Sequence, residues 1–330
     1  MEKNELNILF ENFNTKNIII IGDLMLDRYL CGTVQRISPE APVPVVEIES
    51  EFARLGGAAN VANNIASLGA NPIALGVVGD DASGQEIRAI FEEQGFSTSG
   101  IVTDPARCTT EKTRLIAHNQ HVVRTDRETK TEIDDKILKK IIDAFKAHLP
   151  EADAIILQDY NKGLITKKLI REIIALCRKH DKLVMVDPKF QHFFDYKDVA
   201  LIKPNKKEAE QILGTHLTTE AEIIAAGKEI KKRLNCAHVL ITLSAQGMCL
   251  FNGGDQALFI PTTARKVHDV SGAGDTVISV LSVVMSSGAS ISEAAKLANY
   301  AAGLVCEEVG VVPINKEKFL NLLMNMKNEI

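Results

Sequence analysis

The run Asp269-Val-Ser-Gly-Ala-Gly-Asp-Thr276, followed directly by the apolar stretch 277–285, combines two parts that phosphoryl-transfer chemistry needs. A glycine-rich turn opening a helix leaves the amides of Gly272, Ala273 and Gly274 without intrahelical partners, and the helix dipole adds a favourable potential for an anion. Asp275, one residue further, is placed to accept a proton from a hydroxyl that attacks phosphorus held in that turn. The competing reading is an ordinary helix start in which Asp275 only complements the dipole. The whole octapeptide with its apolar helix favours the chemical one.

Two further segments could hold the hydroxyl-bearing reactant. In LGGAANVANNIASLG (55–69), Gly56 and Gly57 precede a small-residue helix and permit close approach of a ligand, and Asn60 offers a donor and acceptors suited to polyol hydroxyls. A tightly packed helix start is the alternative. Gly22-Asp23 ends an apolar run, and ligands of open α/β sheets bind outside the carboxyl ends of strands, so Asp23 is placed to accept hydrogen bonds from a polyol. Asp27 could do the same, or could pair with Arg28 or cap a helix.

The elements that must position these residues are legible as alternating patterns. Short β-rich runs at 17–21, 154–157, 183–186, 199–202 and 239–242 read as buried strands. Helical spacing at 58–67, 85–94, 134–147, 166–180, 206–213 and 220–234 separates most of them. Such alternation predicts α/β architecture with a mostly parallel central sheet covered by helices on both faces. The stretches 43–49, 110–117 and 121–125 break the rhythm and predict a small separate β-sheet, either a lid over the mouth of the main sheet or an extra hairpin at its edge.

The bulk properties bound the function. A chain of 330 residues suits one large domain with a small appendage, and 38 basic against 43 acidic residues leave a formal charge of −5, with no electrostatic footprint for nucleic acid or an anionic membrane. Six cysteines without a C-x-x-C pair indicate neither zinc nor a redox motif and suit reduced core positions. The polar, mixed-charge N-terminus lacks the features of a secretory signal, and no apolar run approaches the roughly 20 residues of a membrane span. The expected location is the cytoplasm.

Taken in order, these motifs resemble the PfkB family of carbohydrate kinases, which includes ribokinase, over residues 17–322. The resemblance implies a ribokinase-like fold, a single kinase domain over 1–330 with lid strands within about 31–55 and 100–126, and ATP and Mg²⁺ as cofactors. It implies that Gly272, Ala273 and Gly274 form an anion hole with Asp275 as base, and that Gly56, Gly57 and Asn60 touch the sugar. Asn205-Lys206-Lys207-Glu208 matches the family's Asn-x-x-Glu motif, in which Asn205 and Glu208 would organise the metal indirectly, through water or phosphate. Looser counterparts of the nucleotide pocket are Thr242, Ser244, Gly247 and Asn299. Val277 departs from the phenylalanine of many members, at a position read as buried packing. Asp269 leaves a K⁺ site open, and a homodimer formed through the lid is expected. No G-x-x-x-x-G-K-[ST] run is present, so the phosphates are held without a P-loop.

GDLMLDRY with RISPEAPVP (36–44) is similar more narrowly to bacterial heptose 7-phosphate kinases, which phosphorylate the anomeric hydroxyl of D-glycero-D-manno-heptose 7-phosphate in lipopolysaccharide precursor synthesis. Some of that group carry a fused nucleotidyltransferase with an H-x-G-H motif. None of the eight histidines here forms one, so that activity is expected to come from another protein. A phosphorylated acceptor needs cations, and Arg54, Lys112, Arg124, Lys162 and Lys189 are the candidates. Alternatives are another acceptor, namely fructose 6-phosphate, tagatose 6-phosphate, ribose or adenosine, or a catalytically silent sugar-phosphate sensor.

Overall fold

The computed structural model describes residues 1–118, 120–253, 257–264 and 267–325. Its strands are β1 (Asn17–Gly22), β2 (Leu24–Ile37), β3 (Pro44–Gly57), β4 (Asn71–Val78), β5 (Ile101–Thr103), β6 (Thr110–Ala117), β7 (Gln120–Arg127), β8 (Ala154–Gln158), β9 (Leu183–Asp187), β10 (Leu201–Ile202), β11 (His238–Thr242), β12 (Met248–Phe251) and β13 (Ala257–Ile260). Its helices are α1 (Lys3–Asn12), α2 (Ala58–Ser67), α3 (Ala82–Glu93), α4 (Asp135–His148), α5 (Lys167–Lys179), α6 (Lys206–Leu213), α7 (Glu220–Leu234), α8 (Ala273–Ser286), α9 (Ile291–Val305) and α10 (Lys316–Asn325).

Nine strands form the main sheet in the order β13-β12-β11-β10-β9-β8-β1-β4-β5, parallel from β11 to β5, with β12 and β13 antiparallel at the edge. Alternation along β1 divides the core. Ile18 and Ile20 pack with α1, α2, α8, α9 and α10, whereas Ile19 and Ile21 pack with α4, α5 and α7.

The parallel register lines up the carboxyl ends of the strands. Gly22 of β1 lies opposite Gln158 of β8, and Gln158 lies opposite Asp187 of β9. Gly22 has to be glycine there, because a Cβ would stand 2.3 Å from the Gln158 carbonyl oxygen. One residue beyond β1 the chain leaves the sheet as β2, so Asp23 sits at the junction with the second sheet.

That second sheet has the order β3-β2-β6-β7, with β2 parallel to β6 and antiparallel to β3. Its strands reach further than the sequence pattern indicates: β2 and β3 are 14 residues each, and β2 replaces what reads as a site motif alone. Conversely β10 holds only Leu201 and Ile202 of the expected 199–202. All six cysteines are free thiols, and no described helix is long and apolar enough to cross a membrane.

Candidate active site

Helix α8 starts at Gly272, whose φ of 81° only glycine adopts without strain, and the first intrahelical bond runs from Thr276 N to Gly272 O at 2.9 Å. The amides of Gly274 and Asp275 precede that bond. The Ala273 amide, one of the three expected to be free for an anion, instead closes a turn onto Val270 O at 3.3 Å. Val277 is buried as packing, as its apolar context indicates.

Asp275 is 4% exposed and held by three donors. Its Oδ1 accepts from Tyr160 OH at 2.7 Å and Gln158 Nε2 at 3.0 Å, and its Oδ2 accepts from Asn60 Nδ2 at 2.8 Å. Burial outweighs these donors and pushes its pKa up to about 6. Asn60 is itself fixed, since Asn64 Nδ2 donates to both its backbone oxygen and its Oδ1. The Asn60–Asp275 bond, together with Thr276 Oγ1 donating to Asn64 Oδ1 at 3.1 Å, joins the two glycine-rich motifs.

The charge of Lys203, 3% exposed, acts on Asp275; its Nζ lies 3.0 Å from Asp187 Oδ2 and would stand 3.5 Å from a Cβ at Gly274. Gln158 Nε2 donates to Asp187 Oδ2 as well, at 3.0 Å. A charged strip therefore runs from Asp275 across the strand ends to Lys203.

On the side of the second sheet, Asp23 Oδ2 accepts from the amides of Tyr160, at 2.8 Å, and Lys162, at 3.2 Å, and burial with the nearby Asp159 raises its pKa to about 6. Asp27 lies on β2 and pairs with Arg114 of β6 at 2.5 Å; Arg28 instead bonds Glu51, Glu86 and Glu111. Gly56 leaves room for that carboxylate, since a Cβ would meet Asp27 Oδ2 at 2.3 Å, and Gly57, at φ 57°, turns the chain into α2.

The candidate phosphate-binding cations divide. Lys112 and Lys189 lie 5.3 and 5.2 Å from the centroid of the Tyr160 ring, whose hydroxyl reaches Asp275. Lys162 pairs with Glu128 at 2.5 Å. Arg124 stands on the exposed strand β7, with a side chain 56% exposed, bonded to Asp126. Arg54 donates to the carbonyl oxygens of Val309 and Val311 and so ties β3 to the loop beside Gly272.

Across the sheet, Asn205 caps α6 by accepting from Glu208 N at 2.9 Å, while Glu208 Oε2 accepts from Asn205 N at 2.8 Å. Lys189 bonds Glu208 Oε1. Glu208 is buried, and that burial followed by the charge of Asp187 raises its pKa. A buried carboxylate beside the charge of Asp187 suits a cation. Among the described residues no three acidic, histidine or cysteine side chains converge. Lys206 and Lys207 open α6, and Thr242 pairs with Asn205 at the end of β11, donating its amide to Pro204 O at 3.0 Å. Ser244 and Gly247, with φ of 55° and 90°, form the turn into β12. Asn299 Nδ2 donates to Pro261 O at 2.7 Å and holds the segment that a Cβ at Gly247 would strike.

The description "pfkB family carbohydrate kinase" matches residues 15–318. The chain belongs to the pfkB family of carbohydrate kinases. It is 41% identical over 323 residues to the "Bifunctional protein HldE" of Geobacter sulfurreducens, covering 98% of this chain and 66% of that protein. The protein of the same name from Helicobacter pylori is 42% identical over 308 residues, 93% of this chain and 66% of its own. The chain thus spans about two thirds of the length of these relatives. The fold is that of ribokinase: the Arabidopsis thaliana ribokinase structure complexed with ribose and ATP superposes with a TM-score of 0.74 at 20% identity, covering 94% of this chain and 99% of that one. Phosphofructokinase-2 from Escherichia coli in complex with potassium gives 0.75 at 18% identity, over 93% and 99%.

In this pfkB kinase four residues that the sequence motifs do not mark gather around Asp275: Gln158, Tyr160, Asp187 and Lys203. The only signal that points to them is position, because each ends or follows a parallel strand. The family's glycine turn also makes a sharp test. Gly272→Ala places a Cβ 3.0 Å from Asn60 Nδ2 at a φ of 81°, at a strain of about 1–2 kcal/mol. Calorimetry should show a lower Tm, and steady-state assays about a tenfold loss of kcat, the equivalent of ~1.4 kcal/mol. An unaltered kcat would detach the Asn60 contact from turnover.

Proposed function

We propose that the protein is an ATP-dependent kinase that phosphorylates the anomeric hydroxyl of D-glycero-D-manno-heptose 7-phosphate to the 1,7-bisphosphate, for ADP-heptose and lipopolysaccharide core synthesis. The observation that carries it is Asp275: a buried carboxylate at the first turn of α8, gripped by donors from α2, β8 and the residue Tyr160 after it, with the charges of Lys189 and Lys203 acting on it and Lys112 at the Tyr160 ring. The relatives named HldE and the RISPEAPVP segment favour the heptose among sugars.

In this reading Asp23 and Asn60 orient the sugar, and Asp275 takes the proton of the attacking hydroxyl. The first-turn amides of α8, with Lys203, stabilise charge on the transferring group. Mg²⁺, when bound, neutralises phosphate charge; Glu208 and Asn205 would hold it through water or phosphate. The basic groups on the sugar side, Lys112 and Lys162, meet the 7-phosphate, with Arg124 at the outer margin.

The test is ADP release with Mg²⁺-ATP against D-glycero-D-manno-heptose 7-phosphate, fructose 6-phosphate, tagatose 6-phosphate, ribose and adenosine. Turnover on the heptose alone is expected. Faster turnover on another acceptor would cancel the heptose, and binding of sugar phosphates without ADP release would turn the reading to a sensor.

The base has to be ionised, so with its pKa near 6 kcat/KM should be flat above about pH 7 and fall about tenfold per unit on the acid side. The sign for stability is opposite to that of a salt-bridged aspartate. The folded value lies above the unfolded 3.8, so ionised Asp275 costs stability above about pH 6, and that cost disappears as pH falls toward 4. A profile flat down to pH 5 would remove Asp275 from the base role.

A further inference from the structure

Resting on the reading of Asp275 as the base, we propose that Tyr160 is its positioning residue: with Gln158 it saturates Oδ1, so that Oδ2 is the oxygen that takes the substrate proton. A carboxylate offers about four acceptor sites, two on each oxygen. Tyr160 OH at 2.7 Å and Gln158 Nε2 at 3.0 Å fill both sites on Oδ1. Asn60 Nδ2 at 2.8 Å fills one site on Oδ2. One acceptor site remains, and it is on Oδ2.

The surroundings fix this choice. The Asn60 amide cannot exchange ends, because its Oδ1 already accepts from Asn64 Nδ2 at 3.2 Å. Gln158 Nε2 also donates to Asp187 Oδ2, so it is pinned from both directions. The Tyr160 amide is anchored on Asp23 Oδ2, and the ammonium groups of Lys112 and Lys189 lie 5.3 and 5.2 Å from its ring centroid. Burial, followed by the charge of Asp275, raises the Tyr160 pKa well above its ordinary value, so the phenol stays protonated and donates. Tyr160 thereby connects three parts: Asp23 at the sheet junction, the base, and the two lysines at its ring.

In the transfer step the substrate O–H bond breaks and its proton passes to Oδ2. The freed oxygen bonds to the γ-phosphorus as the bond from that phosphorus to the ADP oxygen breaks, and ADP leaves with the electron pair. Throughout, Tyr160 keeps its own proton. Its donation stabilises the ionised carboxylate, so it sets the pH at which the base becomes available and the direction in which it points.

Tyr160→Phe removes the hydroxyl and retains the ring that Lys112 and Lys189 face. The experiment is the pH profile of kcat/KM for the wild type, Tyr160→Phe and Asp275→Asn, with the best acceptor of the panel and Mg²⁺-ATP. Tyr160→Phe is expected to move the acid limb up by about one pH unit and to lower kcat at pH 7 by about tenfold, with both KM values within about twofold of wild type. An acid limb left in place overturns the proposal, whether or not kcat falls, because a merely structural loss would not move it. Asp275→Asn separates the two readings. If that variant is inactive and the Tyr160→Phe limb is unmoved, only the positioning role fails; if it keeps activity within a few fold, the base and its positioning residue fall together.

Discussion

Asp275→Asn is expected to lower kcat by about 10² to 10⁴, the range for loss of a general base, while the protein folds and binds ATP normally. The substitution keeps the size of the side chain and its place at the first turn of α8, where Asn60, Gln158 and Tyr160 surround it. It removes the one group there that can hold a proton near neutral pH. Because the ionised carboxylate is buried with a raised pKa, neutralising it relieves a folding cost as it ends catalysis. The new amide also has to turn its Nδ2 toward Asn60 Nδ2, so the relieved cost and this donor–donor contact offset each other; the Tm at pH 8 should change little, and a sharp drop would show that the lost activity reflects misfolding. Activity within a few fold of wild type would take the base role from Asp275.

The second large effect concerns the small sheet. Arg114→Met should loosen β2 and β6, since it strands the carboxylate of Asp27, which is 4% exposed and bonded to Arg114 at 2.5 Å. Removing one partner of a buried pair costs about 3–5 kcal/mol. The small sheet is attached to the body through the β1–β2 and β3–α2 junctions, the Tyr29 and Arg54 bonds to the 309–311 loop, and the bonds of Arg28 to Glu86 and of Glu111 to Ser83 on α3. Much of that loss should therefore appear as local opening, with amide exchange in β2 and β6 faster by about 10² to 10³. Hydrogen exchange with mass spectrometry reads this directly. The double variant Asp27→Asn/Arg114→Met should recover most of the protection, because no charge is left alone. If Arg114→Met exchanges at the wild-type rate, the pair does not hold the sheet.

The residues that were legible in the sequence share a local signature. Helix α2 occupies 58–67, α6 206–213 and α7 220–234 as their patterns predict. The two latter begin in capping boxes, Asn205 with Glu208 and Thr219 with Glu222, which mark a helix start within four residues. Asp275 was legible because glycines and an apolar helix surround it. Gln158, Tyr160, Asp187 and Lys203 were not, since each is a single polar residue at a strand end, and only the parallel register brings it to Asp275. The length of β2 and β3 was hidden for a different reason. Past 49 the alternation of Val46 and Ile48 with Glu47 and Glu49 meets Ser50, and β2 mixes Gly32, Thr33, Gln35 and Arg36 into its apolar run, so the pattern that marks a half-buried strand fades within both strands. Charge alone also could not rank the cations: Lys189 reaches the Tyr160 ring and Glu208 from a loop after β9, whereas Arg124 faces outward on β7.

The central claim is that Asp275 deprotonates an anomeric hydroxyl. The most direct measurement is ³¹P NMR of D-glycero-D-manno-heptose 7-phosphate incubated with Mg²⁺-ATP and the enzyme. A new phosphomonoester signal coupled to the anomeric proton, with the 7-phosphate signal retained and with no product from Asp275→Asn, is the predicted result. No new sugar phosphate, or a phosphate on any other carbon, would contradict it.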